Sequence, residues 1–191
     1  MKFYRPLPLD QEIAIGSKEF LVSKTDEKGN ILYVNEFFTK VTGYTQSEVI
    51  GQPHNIVRHP DMPKAIFFLM WQRIRSGKNI TALVKNLAKS GKYYWVTTDF
   101  EIQKDIASDS VNYIAFRRMA PKKAVQAIIP LYQTLLDIEK KHGLQASLMH
   151  LQGYLDERHM DFDELMASIT KPKGVFGMLF ERMKNQFRQA A

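Results

Sequence analysis

Two histidines, an arginine and an aspartate are concentrated in one short segment, Gly51-Gln-Pro-His-Asn-Ile-Val-Arg-His-Pro-Asp-Met-Pro-Lys64. The segment ends where Asp61 and Pro63 predict the start of a helix. Backbone N–H groups at a helix N-terminus, together with Arg58 and His59, are typical of a site for phosphate or another anion. The alternative is that Asp61 only caps the helix and that Arg58 and His59 are solvated loop residues.

Other chemistries have little support in the residue types. His54 and His59 have no matching carboxylate or third histidine at ligand spacing, so no metal site is predicted. No serine or histidine stands in an arrangement typical of a nucleophile with its base, and the sequence contains no cysteine. We therefore expect no catalytic residues and predict that the protein is not an enzyme.

Two amides and an aromatic helix face extend this candidate site. Asn86 shares the parity of the less polar positions of a predicted strand, and a buried amide needs partners, which a planar heterocycle or a loop backbone would supply. Asn35 stands at a helix N-cap position, which is a sufficient reason for it. Phe67 and Trp71 are either core residues or the wall of a cleft. Together with segment 51–64, these residues predict one concave pocket between a helix and a sheet.

Hydrophobic patterning and turn residues predict the elements that would position these groups. The predicted elements are, in chain order, a β-hairpin (20–25 and 31–34), short helices after Asn35 and from the capping box Thr45-Gln-Ser-Glu48, a longer amphipathic helix ending at Gly77, and strands at 80–87, 93–104 and 111–118. The last two strands are joined by a polar loop at 105–110. This order predicts an α+β domain with five antiparallel strands and helices on one face.

After residue 120 the patterning becomes helical throughout. An apolar stripe from Val125 predicts a helix to Gly143, with Pro130 as a kink or break. A leucine stripe follows, and Asp161 with Glu164 forms the capping box of the next helix. Residues 171–174 are predicted to interrupt that helix.

A final apolar stripe ends the chain and is flanked by basic residues. Its members are Phe176, Leu179, Phe180, Met183 and Phe187, beside Arg182, Lys184 and Arg188. Such a helix either packs on its own domain or on a partner, or makes peripheral contact with an anionic membrane surface through residues 175–188.

Composition excludes several classes of protein. Hydrophobic residues make up 45% and charged residues 25% of the 191 residues, which is typical of a folded chain and not of a disordered one. The longest uncharged apolar run, 65–71, is far shorter than the roughly 20 residues that span a bilayer, so no transmembrane helix is expected. The net charge of +7 is spread along the chain without a recognised motif, so nucleic-acid binding is not predicted. The absence of cysteine fits a cytoplasmic protein.

The order of elements and several segments resemble the PAS sensor domains of the Aer family of aerotaxis receptors. The segments that carry the resemblance are Tyr33-Val-Asn-Glu-Phe-Phe38, Val41-Thr-Gly-Tyr44, the whole of 51–64, Met70-Trp71, Val84-Lys-Asn86 and Tyr94-Trp-Val96. The resemblance covers residues 20–120 and implies a PAS fold followed by an all-helical C-terminal extension.

The resemblance also implies a cofactor, a non-covalently held FAD whose redox state reports the respiratory chain. The family's flavin-site positions fall on Asn35, Arg58, His59, Asp61, Phe67, Trp71 and Asn86. A tryptophan that the family carries at the start of the third strand is Ile80 in this sequence. Because there is no cysteine, the cysteinyl-flavin photochemistry of LOV light sensors is excluded, which leaves redox change as the natural input.

The resemblance further implies how the chain is organised and what it contacts. The implied parts are an N-terminal cap segment (1–19), a PAS sensor domain (20–120), an output helix (121–143) and a helical extension (144–191). The chain resembles the stand-alone PAS subunit of a bipartite, Cet-type energy-taxis receptor. In that arrangement a cytoplasmic sensor, alone or as a homodimer, signals to a membrane-bound chemoreceptor with HAMP and methyl-accepting domains.

Two other hypotheses remain open at this point. In the first, the domain is a haem-binding gas sensor with His54 or His59 as the axial ligand. In the second, it is a cofactor-free PAS module that docks a partner, with Phe67 and Trp71 as ordinary core residues.

Overall fold

The structure is a computed structural model that describes residues 5–105, 110–170 and 175–190. Its strands are β1 (Leu21–Thr25), β2 (Ile31–Val34), β3 (Ile80–Leu87), β4 (Tyr93–Asp105) and β5 (Ser110–Met119). Its helices are α1 (Glu36–Thr42), α2 (Gln46–Val49), a single-turn 3₁₀ helix (His54–Val57), α3 (Lys64–Arg75), α4 (Lys122–Asp156), α5 (Phe162–Thr170) and α6 (Val175–Ala190). The predicted order of strands and helices is confirmed.

The five strands form one antiparallel sheet in the order β2-β1-β5-β4-β3. The last strand therefore inserts beside the first, and β5 pairs with both β1 and β4. Because side chains alternate along each strand, every strand presents one set of residues to each face. Of the loop predicted at 105–110, residues 106–109 lie outside the described part of the chain.

Helices α1 to α3 and the 3₁₀ helix cover one face of this sheet, which we call the inner face. Local signals set both ends of α1 and the start of α2 as predicted. Asn35 caps α1, Gly43 ends it in the left-handed conformation, and Thr45 and Glu48 form a capping box at α2. The fold class is thus confirmed, an α+β domain with short helices on one face of a five-stranded sheet.

The long helix α4 consists of two helical segments that meet at Gly143, which confirms the predicted end of a helix there, whereas Pro130 differs from the expectation. Pro130 lies inside it without a break, and the non-helical residue is Gly143, with φ 83° and ψ 178°. A break at Pro130, one of the two predicted possibilities, is therefore wrong. The proline deprives the carbonyl of Gln126 of its helical donor, but Gln126 is exposed, so water can replace that bond. Only glycine adopts the backbone conformation at position 143 without strain.

The C-terminal helices cover the opposite, outer face of the sheet. Tyr132 of α4 stacks on Trp95, with ring centroids 6.4 Å apart, and its hydroxyl donates to the carbonyl of Leu83 at 2.9 Å. Phe187 of α6 packs edge-on against Phe116 at 5.6 Å. The sheet is thereby enclosed between two helical layers, an arrangement that the sequence patterns did not predict.

Helix α6 is held on the outer face by apolar and ionic contacts together. Phe180 is almost completely buried, and Lys184 lies 2.7 Å from the carboxylate of Glu101. Phe180, Met183 and Phe187 pack against the sheet, so in this arrangement they are not available to a lipid surface. Of the residues used in the membrane hypothesis, the side chain of Phe176 lies outside the described part, as does the break predicted at 171–174.

None of the helices in the described ranges combines the length and the apolar character needed to cross a bilayer.

Residues of the N-terminal segment pair with the start of β4, where Glu12 bridges to Tyr93. A side chain on Gly91 would collide with the carbonyl of Leu7, so glycine permits this close approach.

Candidate cofactor-binding site

A cavity of about 490 Å³ lies between the inner face of the sheet and α3. Its volume falls within the ~300–1,000 Å³ typical of small-molecule sites. The residues that line it are Ser23, Thr25, Lys28, Gly29, Pro53, His54, Asn55, Arg58, Lys64, Phe67, Phe68, Met70, Trp71, Ile74, Arg75, Val84, Asn86, Thr98, Phe100, Tyr113, Ala115 and Arg117. All five strands except β2 contribute, so the cavity exists only in the assembled sheet.

A buried cationic cluster lines one part of the cavity. Arg117 is 2% exposed and donates from Nη1 to Ser23 Oγ at 2.9 Å and to the carbonyl of Ala115 at 3.2 Å. Its Nη2 lies 2.8 Å from Nε2 of His54. None of these partners is a carboxylate. A guanidinium carries five N–H donors and no acceptor, so Arg117 retains donors for an anionic or carbonyl group in the cavity.

The same cluster sets the protonation state of His54. Burial and the neighbouring charge of Arg117 lower the pKa of His54 from 6.5 to about 3. Because Arg117 donates to Nε2, the proton of the neutral ring is carried by Nδ1. Ser23 Oγ also lies 2.9 Å from Nε2. This nitrogen is thus engaged by two protein groups and is not free to ligate a metal.

Aromatic side chains on α3 form the wall opposite the sheet. Trp71 meets Tyr113 of β5 edge-to-face, with centroids 5.8 Å apart, and the Arg58 guanidinium lies 4.3 Å from the centre of the Phe67 ring. A Cβ on Gly29 would stand 2.8 Å from the Trp71 ring. The close approach of this glycine fixes where the indole lies.

Two polar groups on the sheet face the cavity. Asn86 is 3% exposed and lines the cavity. The hydroxyl of Thr98 also lies in the lining, and it is buried with no hydrogen-bond partner in the described part of the protein. A buried hydroxyl without a partner is costly. Thr98 therefore offers a hydroxyl to a molecule bound in the cavity.

The cavity has a strong excess of positive charge. Lys28, Arg58, Lys64, Arg75 and Arg117 line it, whereas no aspartate or glutamate of the described ranges does. Burial lowers the pKa of Arg58, but an arginine remains charged at neutral pH. Such a site favours a ligand that combines a planar apolar part with an anionic part.

The structure brings four of the seven predicted site residues to the cavity and places three elsewhere. Arg58, Phe67, Trp71 and Asn86 line it. The other three, Asn35, His59 and Asp61, are not part of the lining, for reasons that differ from one residue to the next. Ile80 is buried but is likewise not part of the lining.

Asn35 is committed to the backbone of the fold. Its Oδ1 accepts from the N–H groups of Phe38 and Val22, both at 3.0 Å, and its Nδ2 donates to the carbonyl of Phe20 at 2.7 Å. The side chain caps α1 and also ties it to β1. The prediction that Asn35 contacts a ligand has no support in this geometry.

His59 and Asp61 are turned towards β3 and β4. Nδ1 of the buried His59 accepts from the N–H of Asp61 at 3.1 Å, and its ring lies edge-on to Tyr93. Asp61 binds Lys85 at 2.8 Å. Asp61 does not cap α3, because the N-cap position is Pro63. The predicted capping role of Asp61 is therefore wrong.

The predicted anion site at the N-terminus of α3 is occupied by the protein itself. The carboxylate of Glu139, on α4, accepts from the N–H of Lys64 at 2.8 Å and from that of Ala65 at 2.7 Å. The helix start attracts an anion as expected, but the anion is a side chain about 75 residues away in the sequence.

Sequence reasoning missed Ser23, Thr98 and Arg117 as cavity residues. Arg117 offered a signal, since it shares strand parity with Tyr113 and Ala115 while Ile114 and Phe116 point to the other face. A charged residue at that position of an otherwise apolar strand indicates that its side chain contacts a polar or charged group. Ser23 and Thr98 carried no such signal, because short hydroxyl residues are common in strands.

Protonation of the buried histidines predicts a pH dependence of stability. Burial, followed by the charge of Lys85, lowers the pKa of His59 although Asp61 opposes the shift, and the pKa of His54 is about 3. Below the unfolded pKa of about 6.5 the unfolded state therefore binds protons that the folded state does not. We expect the free energy of unfolding to fall by up to about 1.4 kcal/mol per pH unit for each histidine.

Urea denaturation between neutral pH and about pH 5, above the range in which carboxylates titrate, measures this slope. His59→Gln is expected to flatten the slope. Replacement of the exposed His142 by glutamine is the matched control and should leave it unchanged. An equal slope in all three proteins would contradict the assignment.

The described residues do not form a recognisable metal-binding cluster. In the described ranges, no three histidine, cysteine or acidic side chains converge at ligand distances. His59 lies outside the cavity lining. Of the two histidines named in the haem hypothesis, His54 has its Nε2 engaged by Ser23 and Arg117, and His59 is not part of the lining.

A five-stranded sheet in the order β2-β1-β5-β4-β3, with short helices enclosing a cavity on one face, defines the class of protein. Residues 31–117 match the family described as PAS fold, and this part of the chain is a PAS domain. The chain is similar to the aerotaxis receptor of Escherichia coli (strain K12), with 34% identity over 150 residues, which is 78% of this chain and 29% of the receptor.

Two further similarities extend the comparison. The nitrogen fixation regulatory protein of Klebsiella pneumoniae is 27% identical over 97 residues, 51% of this chain and 20% of that protein. The crystal structure of the PAS domain of a protein from Colwellia psychrerythraea has a TM-score of 0.48 and 21% identity, covering 52% of this chain and 85% of that one. The chain spans less than a third of the length of both curated relatives.

Proposed function

We propose that this chain is a PAS redox sensor that binds FAD non-covalently in the cavity between the inner face of the sheet and α3. The observation that carries the proposal is the combination, in one cavity, of an aromatic wall, the unpartnered hydroxyl of Thr98 and five cationic side chains, with no acidic residue of the described ranges. The similarity to an aerotaxis receptor supports a role in taxis signalling.

The polar groups of the cavity suit the edge of an isoalloxazine ring. That ring carries carbonyl oxygens, ring nitrogens and one N–H group, so it needs donors and acceptors in its plane. Arg117 supplies donors, Asn86 supplies one of each type, and the unpartnered hydroxyl of Thr98 supplies either. Trp71 and Phe67 supply the apolar faces between which a planar ring packs.

The cations of the lining suit the remainder of FAD. Lys28, Lys64 and Arg75 are exposed, while Arg58 is half-buried. No acidic residue of the described lining pairs with these cations. A pyrophosphate would supply the negative charge that they can bind. Glu139 holds the first two N–H groups of α3, so we expect the phosphates to be bound by side chains and not by that helix end.

Bound flavin would supply reversible electron uptake, which changes the hydrogen-bond demand at the ring edge. The protein's own groups convert that change into a conformational difference. Arg117, Asn86 and Thr98 lie on the sheet, whereas Trp71 and Phe67 lie on α3. A relocated hydrogen bond at the sheet contributes about 1 kcal/mol, enough to shift a balanced equilibrium about fivefold.

The output is proposed to reach a membrane-bound chemoreceptor that carries HAMP and methyl-accepting signalling domains, as the resemblance to Cet-type receptors implies. The sensor would then act in the cytoplasm, beside the membrane that holds its partner. We propose a sensory role, not an enzymatic one. Ser23 and His54 are within hydrogen-bond distance in the lining, but Arg117 donates to both groups and the pKa of His54 is lowered to about 3, so the imidazole is a poor base for activating the hydroxyl.

The visible absorption spectrum of the purified protein tests this proposal. We expect the bands of oxidised flavin, which bleach on reduction and return in air. Thr98→Val removes the unpartnered cavity hydroxyl, and we expect it to weaken flavin binding by about two- to tenfold. Thr97→Val is the matched control, since Thr97 also has a buried hydroxyl without a partner in the described part but does not line the cavity.

Other spectra would overturn the proposal. A Soret band would favour the haem hypothesis. Protein that stays colourless after expression with excess flavin would favour the cofactor-free module. Equal flavin affinity of the two threonine variants would exclude the proposed contact at Thr98 while leaving flavin binding itself intact.

A further inference from the structure

Helix α3 has no N-cap side chain of its own. Its N-cap residue is Pro63, which makes no side-chain capping bond. The first N–H groups of a helix need partners from outside, and Glu139 of α4 supplies them with both carboxylate oxygens, at 2.8 and 2.7 Å. The start of the cavity-lining helix is therefore satisfied by a residue of the C-terminal region.

The other end of α3 is held by the C-terminal region in the same way. Arg73, in its last turn, forms an ion pair and a hydrogen bond with Asp163 in the first turn of α5. Between these two attachments, the inner side of α3 carries Phe67, Met70, Trp71 and Ile74 into the cavity wall. One rigid helix thus contacts the cavity along its length and the C-terminal helices at both ends.

Helix α4 is anchored to the sheet as well as to α3. Tyr132 bonds the carbonyl of Leu83 on β3 and stacks on Trp95. From Tyr132 to Glu139 is seven residues of helix, about 10 Å of nearly inextensible length. If the distance between α3 and the sheet changes, α4 cannot keep both its contact with the sheet at Tyr132 and its contact with α3 at Glu139. The glycine bend at Gly143 lies directly after them.

We propose that the carboxylates of Glu139 and Asp163 clamp the two ends of α3 and thereby make the docking of α4 and α5 depend on what the cavity holds. The inference rests on the proposed function in one respect, that a ligand enters between α3 and the sheet. Glu139 and Asp163 are positioning residues that do not line the cavity. The two-anchor geometry of α4 converts a displacement of α3 into release or tightening of the C-terminal helices.

Hydrogen exchange followed by mass spectrometry on the full chain tests the clamp. In the wild-type protein we expect flavin loading to change protection in α4 and α5. In the double variant Glu139→Ala with Asp163→Asn we expect that difference to be lost while flavin still binds, as measured by titration of the same samples. Asp137→Ala is the matched control, because Asp137 lies on α4 but is exposed and pairs only with Lys140 among the described residues.

Flavin-free protein gives a second readout. Glu139→Ala is expected to speed exchange of the Lys64 and Ala65 amides by roughly two- to thirtyfold, the range that corresponds to loss of a helix cap, and to speed exchange in α4. The Asp137→Ala control should match wild type.

These readouts separate failure of the clamp from failure of the proposed function. If flavin binds but the double variant responds to it as wild type does, the clamp is overturned while flavin binding stands. If no flavin binds, the proposed function fails, but the comparison of variants in flavin-free protein still tests the clamp. Exchange in α4 that is the same for Glu139→Ala and Asp137→Ala would then overturn the clamp.

Discussion

Replacement of Arg117 by methionine is expected to weaken flavin binding by about ten- to a hundredfold, the effect of losing a charge-assisted hydrogen bond in a buried site. The free energy of unfolding of the flavin-free protein should change by less than about 1 kcal/mol or rise. Flavin titration and urea denaturation measure the two quantities on the same variant.

Flavin affinity and the free energy of unfolding are expected to respond differently because of the partners of Arg117. Burial lowers its pKa to about 10, and its partners in the described part are a hydroxyl, a carbonyl and a neutral imidazole. A buried cation without a carboxylate contributes little to folding and costs desolvation. Ser23 and His54 retain their mutual contact at 2.9 Å when the arginine is removed. The charge is therefore best explained by a ligand.

Arg118→Met is the matched control, because Arg118 is the next residue along β5 and points to the other face. It lies 3.6 Å from Asp99, donates to the carbonyl of Thr170 at 3.2 Å and stacks on Phe180. We expect Arg118→Met to loosen the C-terminal helices and to change flavin affinity much less than Arg117→Met does, since Arg118 does not line the cavity. If Arg117→Met unfolded the protein and Arg118→Met abolished binding, the assignment of the two faces would be wrong.

Replacement of Asn35 by alanine is expected to lower the free energy of unfolding by about 2–4 kcal/mol. The substitution removes a helix cap, worth about 1 kcal/mol, and two further hydrogen bonds between α1 and β1, and it leaves the N–H of Val22 and the carbonyl of Phe20 without partners. This is a large share of the roughly 5–15 kcal/mol that stabilises a domain. Thermal and urea denaturation measure the loss.

Flavin affinity separates this structural role from the ligand contact that the resemblance implied. If Asn35 acts only through the fold, the folded fraction of Asn35→Ala binds flavin with wild-type affinity. Thr45→Ala, which disrupts the exposed capping box of α2, is the control and should cost only about 1 kcal/mol. A flavin affinity that falls tenfold in folded Asn35→Ala would restore the direct contact.

Interactions between close neighbours in the sequence were predicted well. The hairpin at 20–34, the caps at Asn35 and Gly43 and the two capping boxes involve residues a few positions apart, so their partners can be read from spacing. The strands were predicted from their alternation to within one residue at most ends. Pro130 was the exception, because whether a proline breaks a helix depends on solvent access to one carbonyl, which spacing does not encode.

The cavity shows where spacing stops being informative. Arg58, Phe67, Trp71 and Asn86 line it as predicted from their elements. His59 and Asp61 belong to the same short segment as Arg58 but point towards Lys85 and Tyr93. Side chains that are neighbours in the loop point in different directions because each one contacts the group that the folded sheet places beside it.

The amino-acid sequence by itself determined the order of strands and helices, most of their local caps and the presence of a segment with two histidines and an arginine before α3. Only the tertiary structure decided which groups share the cavity, since Ser23, Thr98 and Arg117 come from three strands that meet only in the sheet. It also decided that Glu139 completes α3 and that α6 covers the outer face. Alternation and helical period specify which way a side chain points from its own element, whereas the partner it meets depends on how distant elements pack.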